Sequence, residues 1–338
     1  MINKASLEKF DFQGMHKIYD IWPKIAKESY KIKNKEIKLK NITHIVFAGM
    51  GGSGAIGDIF EAILSKTNIH VTLVKGYHLP NTVDSKTLVV ATSISGNTVE
   101  TLSVLEAAIK TEAKVVGFSS GGKMEMFCLK NNLEYRKIKM MHSPRVSFPI
   151  FLYSMLKILG SVLPIKKEDI LESILELERT KEKIQSKNLT GTNISLNIAK
   201  EISGIPLIYY PWGLQAAAIR FKNSLQENTK MHAITEDIIE ACHNGIVAWD
   251  KKSNINPILI QGSDDYIKTK ERWKILKELF KEKNIKYNEI HSKKGNILSK
   301  IINLIYVLDY STIYKSVLLG IDPTPVGPIN FVKNKLKS

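Results

Sequence analysis

From residue 44 onward, short apolar runs rich in β-branched residues alternate with stretches of helical period. The runs at 44–48, 69–74, 87–93 and 114–118 read as buried strands. Between them the pattern predicts helices over about 55–66 and 99–111, then a short helix and a fifth strand candidate at 133–139. An apolar segment, 148–163, leads into a charged helix at 168–186 that reads as a connector. A second series follows: strand 205–210, helix 214–230, strand 256–261, helix 268–283 and strand 285–290. A long helical stretch over 296–319 and a C-terminal helix from about Pro328 close it. Strands alternating with helices imply parallel sheets covered on both faces. The two halves open alike, Val46-Phe-Ala-Gly-Met and Ile208-Tyr-Tyr-Pro-Trp-Gly each running into a helix, which predicts two similarly folded α/β domains.

Composition agrees. The chain has 338 residues, 43% apolar and 24% charged, ordinary values for a globular protein of about two domains. The best candidates for a membrane span, 150–165 and 301–321, are interrupted by Lys157 and by Asp309 and Lys315. The first residues lack the apolar core of a signal peptide, so a soluble, cytoplasmic protein is expected. Two cysteines, Cys128 and Cys242, make no disulfide framework, and no metal-type spacing of Cys or His is present. The net charge of +16 comes from 44 Lys and 5 Arg. Base readout favours arginine, and the lysines lie among acidic residues on amphipathic helices, so a solvated surface is expected rather than a nucleic-acid footprint. A general attraction for phosphorylated metabolites remains.

Gly49-Met-Gly51-Gly52-Ser53-Gly54 satisfies G-x-G-x-x-G between a strand and a helix. The dinucleotide reading also needs an acidic residue at the end of the next strand, which instead ends Val74-Lys75-Gly76-Tyr77. A Walker A loop fails for want of Gly-Lys-Ser/Thr. What is left is either a tight strand–helix turn or a loop whose N–H groups approach an anion, with Ser53 adding a hydroxyl. Thr92-Ser93-Ile94-Ser95-Gly96-Asn97-Thr98 follows a second buried strand and opens a second helix. Its hydroxyls suit a phosphate monoester at a helix N-terminus, although Thr98 alone reads equally as a helix cap. Two such clusters on neighbouring strands favour the phosphate, with its chemistry kept in the first domain only.

Together, Gly49–Gly54 and Ser93–Thr98 resemble the sugar isomerase (SIS) domain. Later motifs narrow the resemblance: His142-Ser-Pro-Arg145, Arg220-Phe-Lys-Asn-Ser-Leu-Gln-Glu227-Asn, Glu240-Ala-Cys-His243-Asn244, and the ending Asp322-Pro-Thr-Pro-Val-Gly-Pro-Ile-Asn-Phe-Val-Lys333. In order, from about residue 40 to 337, they resemble the bifunctional phosphoglucose/phosphomannose isomerases of archaea and some bacteria. The resemblance implies two SIS-type domains, each a parallel sheet flanked by helices, at 1–155 and 191–338, joined by connector helices at 156–190. It implies interconversion of an aldose and a ketose 6-phosphate through a cis-enediolate, with neither cofactor nor metal. By the same resemblance Gly52, Ser53, Ser93, Ser95 and Thr98 hold the substrate, and Glu227 is the base that moves a proton between C1 and C2. Arg145 stands beside the enediolate, where a permanent cation stabilises oxyanion charge. His243 opens the sugar ring, assisted by Lys333. A homodimer is implied, with His243 reaching the active site of the neighbouring subunit. Val326 departs from the family pattern, which often has a threonine seven residues before the lysine, linked to accepting the mannose epimer. Glucose 6-phosphate is therefore expected ahead of mannose 6-phosphate.

Two other readings compete. SIS domains also serve as sugar-phosphate sensors, but a sensor has no need of Glu227, His243 and Lys333. Residues 1–40 are also too short and too poorly patterned to supply a helix-turn-helix. An isomerase or mutase of another sugar phosphate stays open at the level of substrate.

Overall fold

A computed structural model of the chain describes residues 2–32 and 35–336. It opens on three short helices, α1 (Lys4–Phe10), α2 (Met15–Asp20) and α3 (Trp22–Lys31). None of the three was expected; α1 and α2 are too short to show a helical period, whereas α3 does bury Trp22, Ile25, Ala26 and Ser29 at helical spacing. Asp11 ends α1, and its carboxylate accepts the N–H groups of Met15 and His16 at 2.9 and 2.7 Å, starting α2. This segment is no appendage: Tyr19 and Trp22 are buried and stack on Tyr310 and Tyr306 near the other end of the chain.

The first sheet follows the alternation read from the sequence. Its elements are β1 (His44–Ala48), α4 (Gly52–Leu64), β2 (His70–Val74), β3 (Thr87–Ser93), α5 (Val99–Ala108), β4 (Lys114–Ser119), α6 (Gly122–Lys130) and β5 (Glu134–Lys137). The strands are parallel in the order β2-β1-β3-β4-β5. β1 and β3 are buried at every position, as continuous apolar runs inside a parallel sheet should be. Three helices, α7 (Phe148–Ile158), α8 (Lys167–Ile184) and α9 (Ile194–Glu201), lead to the second sheet.

That sheet contains β6 (Ile205–Tyr210), β7 (Ile234–Asp237), β8 (Ile255–Gln261) and β9 (Asn288–His291), parallel in the order β7-β6-β8-β9. Around it run α10 (Gln215–Ser224), α11 (Ile238–Ala241), α12 (Ile267–Glu282), α13 (Ile297–Leu318) and α14 (Gly327–Lys335). Three readings are corrected here. α9 and β7 were not anticipated. The helix expected over 214–230 gives way to a π turn, Leu225–Thr229, after α10. The strand expected at 285–290 starts only at Asn288.

α13 organises the interior. Eighteen of its 22 residues are buried, so it is surrounded by protein on all sides. This explains an apolar stretch that resembles a broken membrane span, and no helix among the described residues is long and apolar enough to cross a membrane. Its core cluster takes in residues of β1, β3, α4, α7, α8 and α10, joining both sheets.

Candidate active site

The carboxyl ends of β1 and β3 carry the two small-residue loops side by side. Gly51 turns at φ +52°, and a side chain at Gly49 would press within 2.9 Å of the Thr92 carbonyl oxygen. Ser53 Oγ accepts the N–H of Ile94 at 3.1 Å, which leaves its own proton available to donate. On the second loop Gly96 sits at φ +71° against the Gly121 carbonyl, where a Cβ would overlap it. Thr98 occupies the N-cap of α5 but makes no cap bond; its hydroxyl lies 2.8 Å from that of Ser93. Ser95 Oγ accepts the N–H of Asn97 at 3.4 Å. Neither α4 nor α5 is capped by a side chain; the N–H groups of Ser53 and Gly54 turn back to the Met50 carbonyl at 3.0 and 3.2 Å, whereas those of the first turn of α5 are left for an anion. Lys75, at the end of β2, pairs with Asp58 of α4, so no carboxylate stands where a dinucleotide ribose would need one.

Arg145 borders the first loop: the nearest atoms to a side chain built at Gly52 are Pro144 O and Arg145 Cα, at 3.7 and 3.8 Å. Only 8% exposed, Arg145 places its Nε 3.1 Å from Glu227 Oε2. Its Nη1 donates to Asn228 Oδ1 at 2.6 Å and to the Pro323 carbonyl at 3.0 Å, and its Nη2 to the Thr324 carbonyl at 2.7 Å. Glu227 and Asn228 both sit on the π turn, a local widening of the helix common at functional sites. The turn leaves Glu227 partly open to solvent and Asn228 fully buried.

A second arginine supports the first. Arg220 of α10 makes two hydrogen bonds to Asp309 Oδ2, at 2.9 and 2.7 Å, and both side chains are buried. Its Nη2 also donates to the Arg145 carbonyl at 2.8 Å, and its guanidinium stands 4.0 Å over the Phe148 ring. Ser224 donates to Asp309 Oδ1. Burial pushes the Asp309 carboxyl up, against the pull of Arg220 and the hydrogen bonds of Ser224 and Tyr19. Lys230, at φ +60°, donates to the carbonyls of Pro323 and Pro325 at 3.2 and 2.8 Å and so ties the segment after α13 to the π turn. Burial, then the nearby Arg145 charge, holds its ammonium below the ordinary lysine range.

Of the residues singled out from sequence, the structure gathers Gly52, Ser53, Ser93, Ser95, Thr98, Arg145 and Glu227 around the two loops and the π turn. Among the described residues no hydrogen bond or ion pair joins the side chain of His243 or Lys333 to them. His243 is exposed on the turn after α11, and Lys333 lies on α14, a helix with no buried residue. Sequence reading overlooked Asn228, Lys230, Asp309 and Thr312. A lone carboxylate in an apolar helix, Asp309, was the available signal for a buried cation. Among the described residues no group of three or more His, Cys, Asp or Glu is placed to hold a metal ion.

Comparison with known proteins puts this geometry in context. Residues 38–127 match the model of the SIS domain, and residues 192–336 that of the bacterial phospho-glucose isomerase C-terminal SIS domain. The chain is 31% identical to a bifunctional phosphoglucose/phosphomannose isomerase of Caldicellulosiruptor bescii, over 94% of this chain and 97% of that one. It is 29% identical to the protein of that name from Aquifex aeolicus, over 94% of each. A D-glucosamine-6-phosphate 4-epimerase of Sulfolobus acidocaldarius is 28% identical over 73% of this chain and 77% of its own. In fold, the chain superposes with a TM-score of 0.75 on a hypothetical protein from Thermus thermophilus, at 15% identity, covering 99% of this chain and 92% of the other. With an α/β fold of two SIS domains and this level of identity along nearly its whole length, the chain belongs to the bifunctional phosphoglucose/phosphomannose isomerase family.

Proposed function

We propose that this protein interconverts glucose 6-phosphate, and secondarily mannose 6-phosphate, with fructose 6-phosphate. The observation that carries the reading is the Arg145–Glu227 pair at 3.1 Å beside two loops that open uncapped helices. The loops take the phosphate, with the first N–H groups of α5 and the hydroxyls of Ser53, Ser93, Ser95 and Thr98 as donors. Glu227 removes the C2 proton of the open-chain aldose and returns it to C1, while the O2 hydroxyl proton passes to O1. The intermediate is a cis-enediolate. Arg145 spends three Nη N–H groups on Asn228, Pro323 and Thr324 and sets Nε 3.1 Å from Glu227 Oε2, which leaves the second Nη2 N–H to meet the developing oxyanion.

In this reading residues 1–155 form the phosphate-binding domain, 156–190 the connector and 191–338 the second domain. The active protein is a C₂ homodimer in which His243 of one copy opens the sugar ring held by the other, with Lys333 assisting. Three features support a second copy. His243 is exposed, α14 exposes Ile329, Phe331, Val332 and Leu336, and Trp212 and Val247 are also largely exposed.

The test is incubation with fructose 6-phosphate, measuring glucose 6-phosphate and mannose 6-phosphate separately. Formation of glucose 6-phosphate, faster than mannose 6-phosphate as Val326 suggests, is the expected result. Neither product forming would overturn the reading.

A further inference from the structure

We infer that Asn228 and Thr312 form a positioning relay that sets the Arg145 guanidinium against the Glu227 carboxylate, a role that rests on the isomerase reading above. Both side chains are completely buried, one on the π turn and the other on α13. Thr312 spends its one hydroxyl proton on the carbonyl of Asp309, at 2.6 Å. Towards Asn228 it therefore shows only a lone pair, which accepts Nδ2–H at 2.8 Å. That fixes which way the amide faces. Its Oδ1 end must point at Arg145, where it accepts Nη1–H at 2.6 Å.

The same polarity is demanded from the other side. A guanidinium only donates, so a reversed amide would set donor against donor in a buried place. The guanidinium is also planar. Holding Nη1 at Asn228, with Nη2 on the Thr324 carbonyl, fixes the place of Nε, 3.1 Å from Glu227 Oε2. Glu227 and Asn228 are neighbours on one turn, so the base and the anchor of its arginine move as a unit. Donation thus runs one way from Arg145 through Asn228 and Thr312 into the backbone of α13, while the other edge of the guanidinium pairs with Glu227. Neither Asn228 nor Thr312 reaches the reacting carbons; their contribution is orientation.

The test compares Thr312→Val, Thr312→Ser and Asn228→Asp with the unaltered protein, using fructose 6-phosphate as substrate. Circular dichroism and thermal melting establish that each is folded. Valine keeps the shape of threonine and removes the acceptor. Serine keeps the hydroxyl. Aspartate replaces the amide donor by a second carboxylate oxygen that competes with Glu227 for the guanidinium. Thr312→Val is expected to lose about 10- to 100-fold in kcat, the scale of a small misplacement of reacting groups, with KM within about twofold. Thr312→Ser is expected to stay within about twofold of the unaltered protein. Asn228→Asp is expected to lose kcat like the valine variant, and it carries the test alone if Thr312→Val does not fold. A folded Thr312→Val or Asn228→Asp with full kcat overturns the relay, as does an effect on KM alone or a serine variant no better than valine. An unaltered protein that isomerises nothing overturns the parent reading instead, and the relay with it.

Discussion

Ser53 Oγ accepts the backbone N–H of Ile94 at 3.1 Å, joining the first glycine loop directly to the second. The link fixes the spacing of two helix N-termini that the proposed phosphate must bridge. Ser53→Ala leaves that buried N–H without a partner, at a cost of about 1–3 kcal/mol in stability. It also removes one donor to the phosphate. A lower midpoint in urea, together with a raised KM for fructose 6-phosphate, is the expected pair of results; loss of stability with KM unchanged would separate the hydroxyl from the substrate.

Glu227→Gln preserves the size of the side chain and an oxygen for Arg145, but removes the proton acceptor. Isomerisation is expected to fall by about 10²-fold or more, the scale of general-base catalysis. Binding of a non-reactive sugar phosphate, measured by calorimetry, should be nearly unchanged. Retention of more than roughly a tenth of kcat would remove Glu227 from the role of base.

The buried pair of Arg220 and Asp309 calls for a stability measurement. Asp309→Leu strands a guanidinium that loses two hydrogen bonds, and removing one partner of a buried pair costs about 3–5 kcal/mol. Adding Arg220→Met should recover much of the loss, since apolar replacement of both partners is often neutral. Recovery is expected to stop short of full activity, because Arg220 also holds the Arg145 carbonyl. Urea titrations of the single and double variants, each assayed for kcat, check both statements.

The proposed sharing of a site between two copies makes a counting prediction. Glu227→Ala and His243→Ala proteins, each inactive, are unfolded and refolded together. Random pairing makes half the dimers hybrid, and each hybrid holds one intact site, so about a quarter of normal activity should return. If both residues serve the same chain, no site is whole and the mixture stays inactive although hybrids are present by mass.

How much of this is legible in the sequence depends on what each residue is packed against. Runs such as Thr87–Ser93, apolar and buried on both faces, declare themselves without help. β7, the edge strand Ile-Thr-Glu-Asp, is only partly buried and carries two carboxylates, so nothing in its four residues separates it from a loop. The helix expected over 296–319 is present as α13, Ile297–Leu318, but its place in the interior is not legible: buried all round, it lacks the polar stripe that marks which face of a helix meets the core. The glycine and serine loops were readable because their residue types are rare in helices and strands yet needed where backbone meets an anion. The Arg145–Glu227 contact was not, since it depends on a π turn and a distant arginine meeting across two domains. Asn228 and Thr312 lay further out of reach. Their importance is a matter of which way a single hydroxyl points, and sequence pattern carries no such information.

The stacking of Trp22 and Tyr19 on α13 also sets a timetable for the chain as it is made. Tyr306 donates to the Tyr19 carbonyl across 287 positions of sequence. At ordinary rates of synthesis, roughly 15 to 60 seconds separate the emergence of the two residues from the ribosome. Through that interval Trp22 can lean on Phe148 of α7, but the side of Tyr19 and Trp22 that meets α13 has no permanent cover. A transcript cut short before α13 would therefore yield a fragment with an exposed aromatic face, and the protein depends on its last eighth to cover its first helices.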